Sequence, residues 1–136
     1  MLFLEKRLKR VYLIALGGTA YCLIEIAFRG FTHISMFFTG GACFYAVSII
    51  NARLSRSVAL WKRMLMGSAV ITAVEFIAGC VVNLWLGLHV WDYSAMPLNL
   101  LGQVCLPFSA AWFGLSAPIL ALGGYIDKYK FSLRSL

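Results

Sequence analysis

The chain has 136 residues, of which 62% are hydrophobic and only 12% charged, and its formal net charge is +7. Soluble domains are about half apolar and a quarter charged, so this composition excludes an ordinary soluble domain and indicates an integral membrane protein. The basic residues lie between apolar runs and do not form a solvated face, so we expect no nucleic-acid partner.

Four apolar runs predict four membrane-spanning helices in a single domain, at about residues 11–28, 34–50, 64–88 and 104–126. Each is close to the roughly 20 residues that a spanning helix needs, and the connections are short. The predicted fold is therefore all-α, an integral membrane four-helix bundle. Residues 91–103 are polar and contain Pro97 and Gly102, so we expect a short interfacial or re-entrant segment before the last helix.

The basic residues predict the orientation of the bundle. All lysines and arginines except Arg29 lie before the first apolar run, in the middle connection or in the C-terminal tail. Loops rich in lysine and arginine stay in the cytoplasm, so we expect both termini there and a location in the cytoplasmic (plasma) membrane. Aromatic residues near the predicted boundaries, Trp85 and Trp91 on one side and Trp61 and Tyr125 on the other, suggest an interfacial belt.

Two of the five acidic residues, Glu25 and Glu75, fall inside predicted helices. A charged side chain near the bilayer centre costs roughly 2.5–3.5 kcal/mol on insertion scales, so each needs a partner, a proton or water. Arg29 lies four residues after Glu25, on the same helix face, and the two form either an ordering ion pair or a ligand contact.

Glu75 has no cation within one helical turn. It belongs to a stripe of polar and small residues spaced by three or four, which comprises Ser68, Thr72, Glu75, Gly79 and Asn83. Such a stripe has to face the bundle interior, because backbone and side-chain polar groups turned toward lipid would stay unpaired. The stripe forms either a hydrogen-bonded interface or the lining of a hydrated pocket, and Glu75 is the leading single candidate for a functional residue.

The segment before the last helix adds further candidates. Asp92, Tyr93 and Asn99 lie either in an ordinary interfacial loop or in a lid over a polar cleft. We therefore predict ligand contacts at seven residues: Glu25, Arg29, Glu75, Asn83, Asp92, Tyr93 and Asn99. The sequence has no HExxH motif, glycine-rich phosphate loop or triad spacing, so we predict no catalytic residue, no metal site and no cofactor.

Several of these residues resemble a known family of small four-span membrane proteins, the ABC-transporter type IV (CmpB-like) family. The similar positions are Glu25 with Arg29-Gly30, Glu75 with Gly79, the segment Trp91-Asp92-Tyr93-Ser94 with Pro97, Asn99 and Gly102, and Cys105 to Trp112. The resemblance runs from about Gly18 to Ser116 and implies a transporter-like membrane protein. The chain has no GxxxxGK[ST] motif, so we expect that it does not hydrolyse ATP itself.

Three functions remain open on the sequence alone. The leading hypothesis is a small permease, channel or transporter-like protein with a polar intramembrane cleft for an ion or small polar solute. The second is a non-catalytic assembly or regulatory subunit, and the third is a membrane-embedded enzyme acting on a lipid or quinone. The expected partners are the lipid bilayer, further copies of the chain in a homo-oligomer, the solute or ion, and another membrane subunit.

Overall fold

The computed structural model describes residues 2–136, and within that range the chain forms four long helices. They are α1 (Leu2–Arg29), α2 (Ile34–Arg53), α3 (Leu60–Gly79) and α4 (Leu106–Tyr129), and α3 continues as a π-helical segment, Cys80–Trp85. All four are long and apolar enough to cross a membrane. The predicted all-α four-helix bundle is confirmed.

The helix bounds differ from the predicted spans mainly at α1, which begins at Leu2 and not near residue 11. The additional residues include leucine, lysine, arginine and glutamate, all good helix formers, and Lys9 pairs with Glu5 at 2.9 Å one turn away. The third span runs over Leu60–Trp85, and α4 begins at Leu106 because Val104 and Cys105 pair as a strand.

Glycines bring α1 and α2 into close contact as an antiparallel pair. A Cβ atom at Gly17 would collide with the side chain of Phe44, and one at Gly40 would collide with that of Tyr21. Small residues let two backbones approach closely, which is the main packing device where lipid removes the hydrophobic drive between helices. The pair is joined by a tight turn, in which Gly30 has a φ of +79° and ends α1.

The polar stripe of α3 faces the bundle interior, as the sequence predicts, and there it meets α4. Ser68 Oγ donates to the carbonyl oxygen of Ser109 at 2.6 Å, and Thr72 Oγ1 lies 2.8 Å from Ser109 Oγ. Gly79 packs against the side chain of Gln103. Of the two alternatives for the stripe, these contacts correspond to a hydrogen-bonded interface between α3, α4 and the loop before α4.

The loop over residues 86–105 carries a small antiparallel hairpin, β1 (Asn99–Leu100) paired with β2 (Val104–Cys105). Trp91 anchors this loop: it is only 7% exposed, and its Nε1 donates to the carbonyl oxygen of Gln103 at 3.0 Å. The assignment of Trp91 to an interfacial belt is therefore wrong, because its ring is buried inside the protein and does not face the lipid headgroups. Trp61, Trp85 and Tyr125 are exposed, as a belt requires.

The loop lies at one end of the bundle, here named the hairpin end, together with the α1–α2 turn. The other end, named the basic end, carries the start of α1, the α2–α3 connection and the C-terminal tail. There Leu133 is fully buried in a cluster with Leu13 and Ile126, and Arg134 Nε donates to the carbonyl oxygen of Ala52 at 2.7 Å. The tail therefore closes the basic end.

Candidate functional site

An open groove runs between α1 and α4. It consists of two adjoining cavities of about 210 and 350 Å³, which share Tyr21, Ile24, Trp112 and Leu115 as lining residues. The smaller one, the inner cavity, extends toward the middle of the bundle. The larger one, the outer cavity, extends to the hairpin end.

Glu75 lies behind the groove, at the point where the two cavities meet. Its Oε1 accepts a hydrogen bond from the Tyr21 hydroxyl at 3.2 Å, and its Oε2 accepts one from Trp112 Nε1 at 2.9 Å. The two aromatic rings stack on each other with their centroids 5.7 Å apart. The stack separates the carboxyl group from the open groove, and Glu75 itself is 2% exposed.

The two partners of Glu75 differ in their chemistry. The Trp112 indole N–H can only donate, so Oε2 has to accept in any protonation state. The Tyr21 hydroxyl can donate or accept, so it can pair either with a carboxylate or with a protonated carboxyl group. The arrangement can therefore hold Glu75 with or without its proton, without changing partners.

Glu25 and Arg29 line the outer cavity at the hairpin end of the groove. Arg29 Nη2 lies 2.8 Å from Glu25 Oε1, and the Thr32 hydroxyl donates to Glu25 Oε2 at 2.7 Å. Arg29 also donates through Nη1 to the carbonyl oxygen of Val90 at 3.2 Å. Both charges are thus paired, and Arg29 fixes the 86–105 loop to the end of α1.

Tyr93 completes this end of the groove. Its ring stacks on Phe108 of α4 with centroids 4.7 Å apart, and both residues line the outer cavity. Burial raises the pKa of the Tyr93 hydroxyl above its ordinary value, so the group is neutral at physiological pH. The groove therefore ends in one cation, one anion and a neutral hydroxyl.

The other three predicted site residues hold the 86–105 loop together. Asn83 is buried, donates to Gln103 Oε1 at 2.8 Å and accepts from the Val90 amide at 2.7 Å. Asp92 and Asn99 are exposed and bond to backbone groups of the loop, including the Ser94 and Gly102 amides. A ligand role for any of the seven residues stays a prediction, and the structure places only Glu25, Arg29, Tyr93 and Glu75 at the groove.

Reasoning from the sequence missed Tyr21 as a site residue, although a signal was present. Tyr21 precedes Glu25 by four residues and Arg29 by eight, so all three lie on one face of α1. It also missed Trp112 as a partner of Glu75, because Trp112 lies on another helix. No sequence pattern gives the register between α3 and α4 that brings these two side chains together.

The groove differs from the polar cleft that the sequence predicts. Its walls are largely apolar and aromatic, with polar side chains gathered at the hairpin end. The reason is that Ser68, Thr72 and Asn83 are used in hydrogen bonds to α4 and the loop. Across residues 2–136, no three histidine, cysteine, aspartate or glutamate side chains come close enough together to hold a metal ion.

Comparison with known proteins gives a family. The family described as Putative ABC-transporter type IV (CmpB) matches residues 16–128, which include the second half of α1, all of α2 and α3, and α4 except its last residue. No solved structure matches the chain. Since the match extends over most of its length, the chain belongs to the Putative ABC-transporter type IV family.

Proposed function

We propose that this chain is a permease-like subunit of a transport system and that it binds its substrate in the groove between α1 and α4. The observation that carries the proposal is the groove itself, an opening among membrane-spanning helices that are elsewhere closely packed. Ligand sites in helical membrane proteins are formed between helices from inward-facing side chains. The transporter-like family supports the same function.

The groove offers two kinds of contact to a substrate. A small polar solute or an ion, as predicted from the sequence, would find Glu25, Arg29 and Tyr93 at the hairpin end. Glu75 would act behind the Tyr21–Trp112 stack, where movement of either ring exposes the carboxyl group to the groove. In that role Glu75 links the positions of the Tyr21 and Trp112 rings to the presence of a substrate in the groove.

The test uses cells that carry the gene naturally, so that partner subunits are present. The chromosomal gene is replaced by wild type, by Ala111→Trp, or by Ala73→Trp. Ala111 lines the outer cavity, whereas Ala73 is exposed on α3 away from the groove. Uptake of rubidium ion and of a short-chain fluorescent phosphatidylcholine is then measured.

We expect uptake of one of these probes to fall to the level of a gene deletion in Ala111→Trp and to stay at the wild-type level in Ala73→Trp. Glu75→Gln keeps an oxygen that accepts from Trp112 Nε1 and places an NH2 donor opposite the Tyr21 hydroxyl, which can accept, but it cannot ionise. We expect this variant to lower the same uptake with normal expression. If deletion of the gene changes neither uptake, the transport proposal fails.

A second candidate function, assembly with another membrane helix, is favoured by the outward face of α4. Small exposed residues recur there at helical spacing: Ala110, Gly114, Ala121 and Gly124. A Cβ atom at Gly114 or Gly124 would meet open space. Such faces let helices pack closely in membranes, either between copies of the chain or with a different subunit. Gly114→Leu with Gly124→Leu should then reduce recovery of cross-linked oligomers.

The proposed setting is the cytoplasmic membrane, with the basic end in the cytoplasm. The support is the excess of lysine and arginine at that end. A transport system of this kind needs an energy source, and this chain has no phosphate-binding loop motif. A nucleotide-hydrolysing partner would therefore meet the chain at the basic end.

A further inference from the structure

The groove has the length of one membrane leaflet. On α1 it reaches from Gly17 in the inner cavity to Arg29 in the outer cavity. The twelve helical steps between these two residues span about 18 Å at 1.5 Å per residue. Half of a typical hydrocarbon core of 30 Å is about 15 Å. The groove therefore extends from the hairpin-end surface to about the middle of the bilayer.

The groove is apolar along its length and becomes polar only at the hairpin end. Apolar side chains line the length of the groove, among them Ile24, Phe28, Leu115 and Leu122, and the charged pair lies at the hairpin end. An ion would find partners at the hairpin end, but one that moved further along these walls would lose its hydration without gaining a partner. A hydrocarbon chain has no hydration to lose there, since it moves from the apolar bilayer into an apolar groove, and it gains contacts with the groove walls.

The polar end carries no net charge. Glu25 and Arg29 form a 2.8 Å pair, and each is further engaged by Thr32 or by the carbonyl oxygen of Val90. A strongly anionic group would be attracted by Arg29 and repelled by Glu25 at similar distances. A group that bears both charges can match the pair, phosphate beside Arg29 and ammonium beside Glu25.

From length, wall chemistry and charge, we propose that the groove binds one acyl chain of a zwitterionic glycerophospholipid, with the headgroup at Glu25 and Arg29 and the chain passing the Tyr21–Trp112 stack. This lipid is the substrate class of the transport function proposed above. That designation as substrate rests on the proposed function, whereas binding of the lipid does not.

The experiment labels the occupant in place. The full chain is reconstituted in phosphatidylcholine nanodiscs that contain a phosphatidylcholine with a diazirine near the end of one acyl chain. After irradiation, cross-linked residues are mapped by mass spectrometry of the digested protein. We expect the adducts to concentrate on inner-cavity residues such as Ile119 and Leu122, where the end of the chain would lie. Other lipid-exposed residues, such as Leu65 and Ile77, should carry few.

Two matched tryptophan substitutions test whether the groove is the site. Ala111→Trp fills the outer cavity and should abolish the groove adducts, while Ala73→Trp on the outside of α3 should leave them unchanged. If Ala111→Trp does not fold, as judged by its elution as a monodisperse peak, Leu115→Trp fills the same cavity. Adducts spread evenly over the exposed faces of all four helices, or groove adducts that survive a folded filling variant, would overturn the proposal.

Competition between unlabelled lipids tests which headgroup the groove prefers. Unlabelled phosphatidylcholine added to the nanodiscs should reduce groove adducts at least as strongly as an equal amount of phosphatidylglycerol. Stronger competition by the anionic lipid would overturn the assignment of the charged pair to a zwitterionic head. If the groove is labelled but the chain moves no probe in cells, the lipid-binding proposal stands and the transport proposal fails. If the chain transports a probe but the groove is not labelled, the transport proposal stands and the lipid-binding proposal fails.

Discussion

Glu75 of α3 connects three helices through its two oxygen atoms. Tyr21 of α1 donates to one of them and Trp112 of α4 donates to the other. A buried polar group that loses its partner costs about 1–3 kcal/mol, so each of these donors depends on the carboxyl group as much as the carboxyl group depends on them. The three residues therefore stabilise the bundle as a unit, whichever substrate the groove binds.

A double-mutant cycle measures this dependence. Glu75→Leu leaves the Trp112 N–H without its acceptor, and Trp112→Phe removes that N–H. We expect both single variants to lower the free energy of unfolding in detergent micelles and the double variant to lower it by less than their sum, with a coupling of about 1–2 kcal/mol. Glu75→Leu with Trp85→Phe, on an exposed ring, should show no coupling. Additive effects of Glu75→Leu and Trp112→Phe would contradict the contact.

The sequence predicts that Glu75 faces inward, because a carboxyl group turned to lipid has no partner. It does not predict the partners, since a periodic pattern gives the face of a helix but not the height at which a neighbouring helix meets it. Tyr21 and Trp112 are apolar positions by pattern, and only the packing of α1 and α4 on α3 shows that their polar atoms meet one carboxyl group.

Asp92 provides a test at a solvent-exposed residue. The Ser94 amide donates to Asp92 Oδ1 at 2.8 Å and holds the pKa of this carboxyl below its ordinary value of 3.8. A lowered pKa in the folded state means that the hydrogen bond is present at neutral pH and is lost only as the pH falls through that lowered value.

We expect the amide chemical shift of Ser94 to titrate with a midpoint below 3.8, and the titration to vanish in Asp92→Asn. A short peptide with the sequence of residues 91–96 serves as the unfolded reference. A midpoint in the protein equal to or above that of the peptide would contradict the turn.

At the level of elements, α4 presents three different faces. One packs on α3 and α2 through Ser116, Leu120 and Gly123, one lines the groove, and the third is the outward face of small residues. A helix with apolar residues all round gives no moment from which these faces could be separated. The sequence therefore predicts α4 as a span but not which side faces lipid.

The glycine contact between α1 and α2 predicts a contrast between two identical substitutions. Gly40→Ala places a methyl group against the side chain of Tyr21, whereas Gly114→Ala places one in open space. Overpacking typically costs 1–3 kcal/mol, so we expect Gly40→Ala to lower the free energy of unfolding by about that amount. Gly114→Ala should leave it unchanged or raise it slightly, because alanine favours helix.

Unfolding in increasing sodium dodecyl sulfate, followed by circular dichroism, measures both variants. Equal stability of Gly40→Ala and Gly114→Ala would show that the α1–α2 contact is looser than the structure describes. The boundaries of the elements are less predictable from the sequence than their existence. Helix α1 extends past the predicted first span toward the N-terminus, because the basic residues that mark the edge of a span also continue the helix.

For the whole molecule, charge and shape divide the bundle into two unlike ends. The hairpin end has a folded loop and the Arg29–Glu25 pair, and the basic end has a buried tail and most of the lysine and arginine residues. The number of spans and the charge bias were readable from the sequence. The loop structure was not, because it depends on distant contacts such as that between Trp91 and Gln103.

Cysteine labelling tests the orientation. Ser94→Cys at the hairpin end and Ser57→Cys at the basic end are both on exposed positions. In intact cells, a membrane-impermeant maleimide should label Ser94→Cys, and it should label Ser57→Cys only after permeabilisation. The wild-type chain, whose four native cysteines are buried or half-buried, gives the background. Labelling in the opposite order would reverse the proposed orientation.

Arg63 at the start of α3 restricts how the molecule can open. Its guanidinium donates to the carbonyl oxygens of Val58, Asn51 and Ser55 and to the Asn51 side chain. A rocking of the two helical hairpins as rigid halves about that connection would have to break these bonds. We therefore expect the groove to widen by a sliding of α1 along its glycine-lined neighbour, which is a shear, in preference to a hinge at the α2–α3 connection.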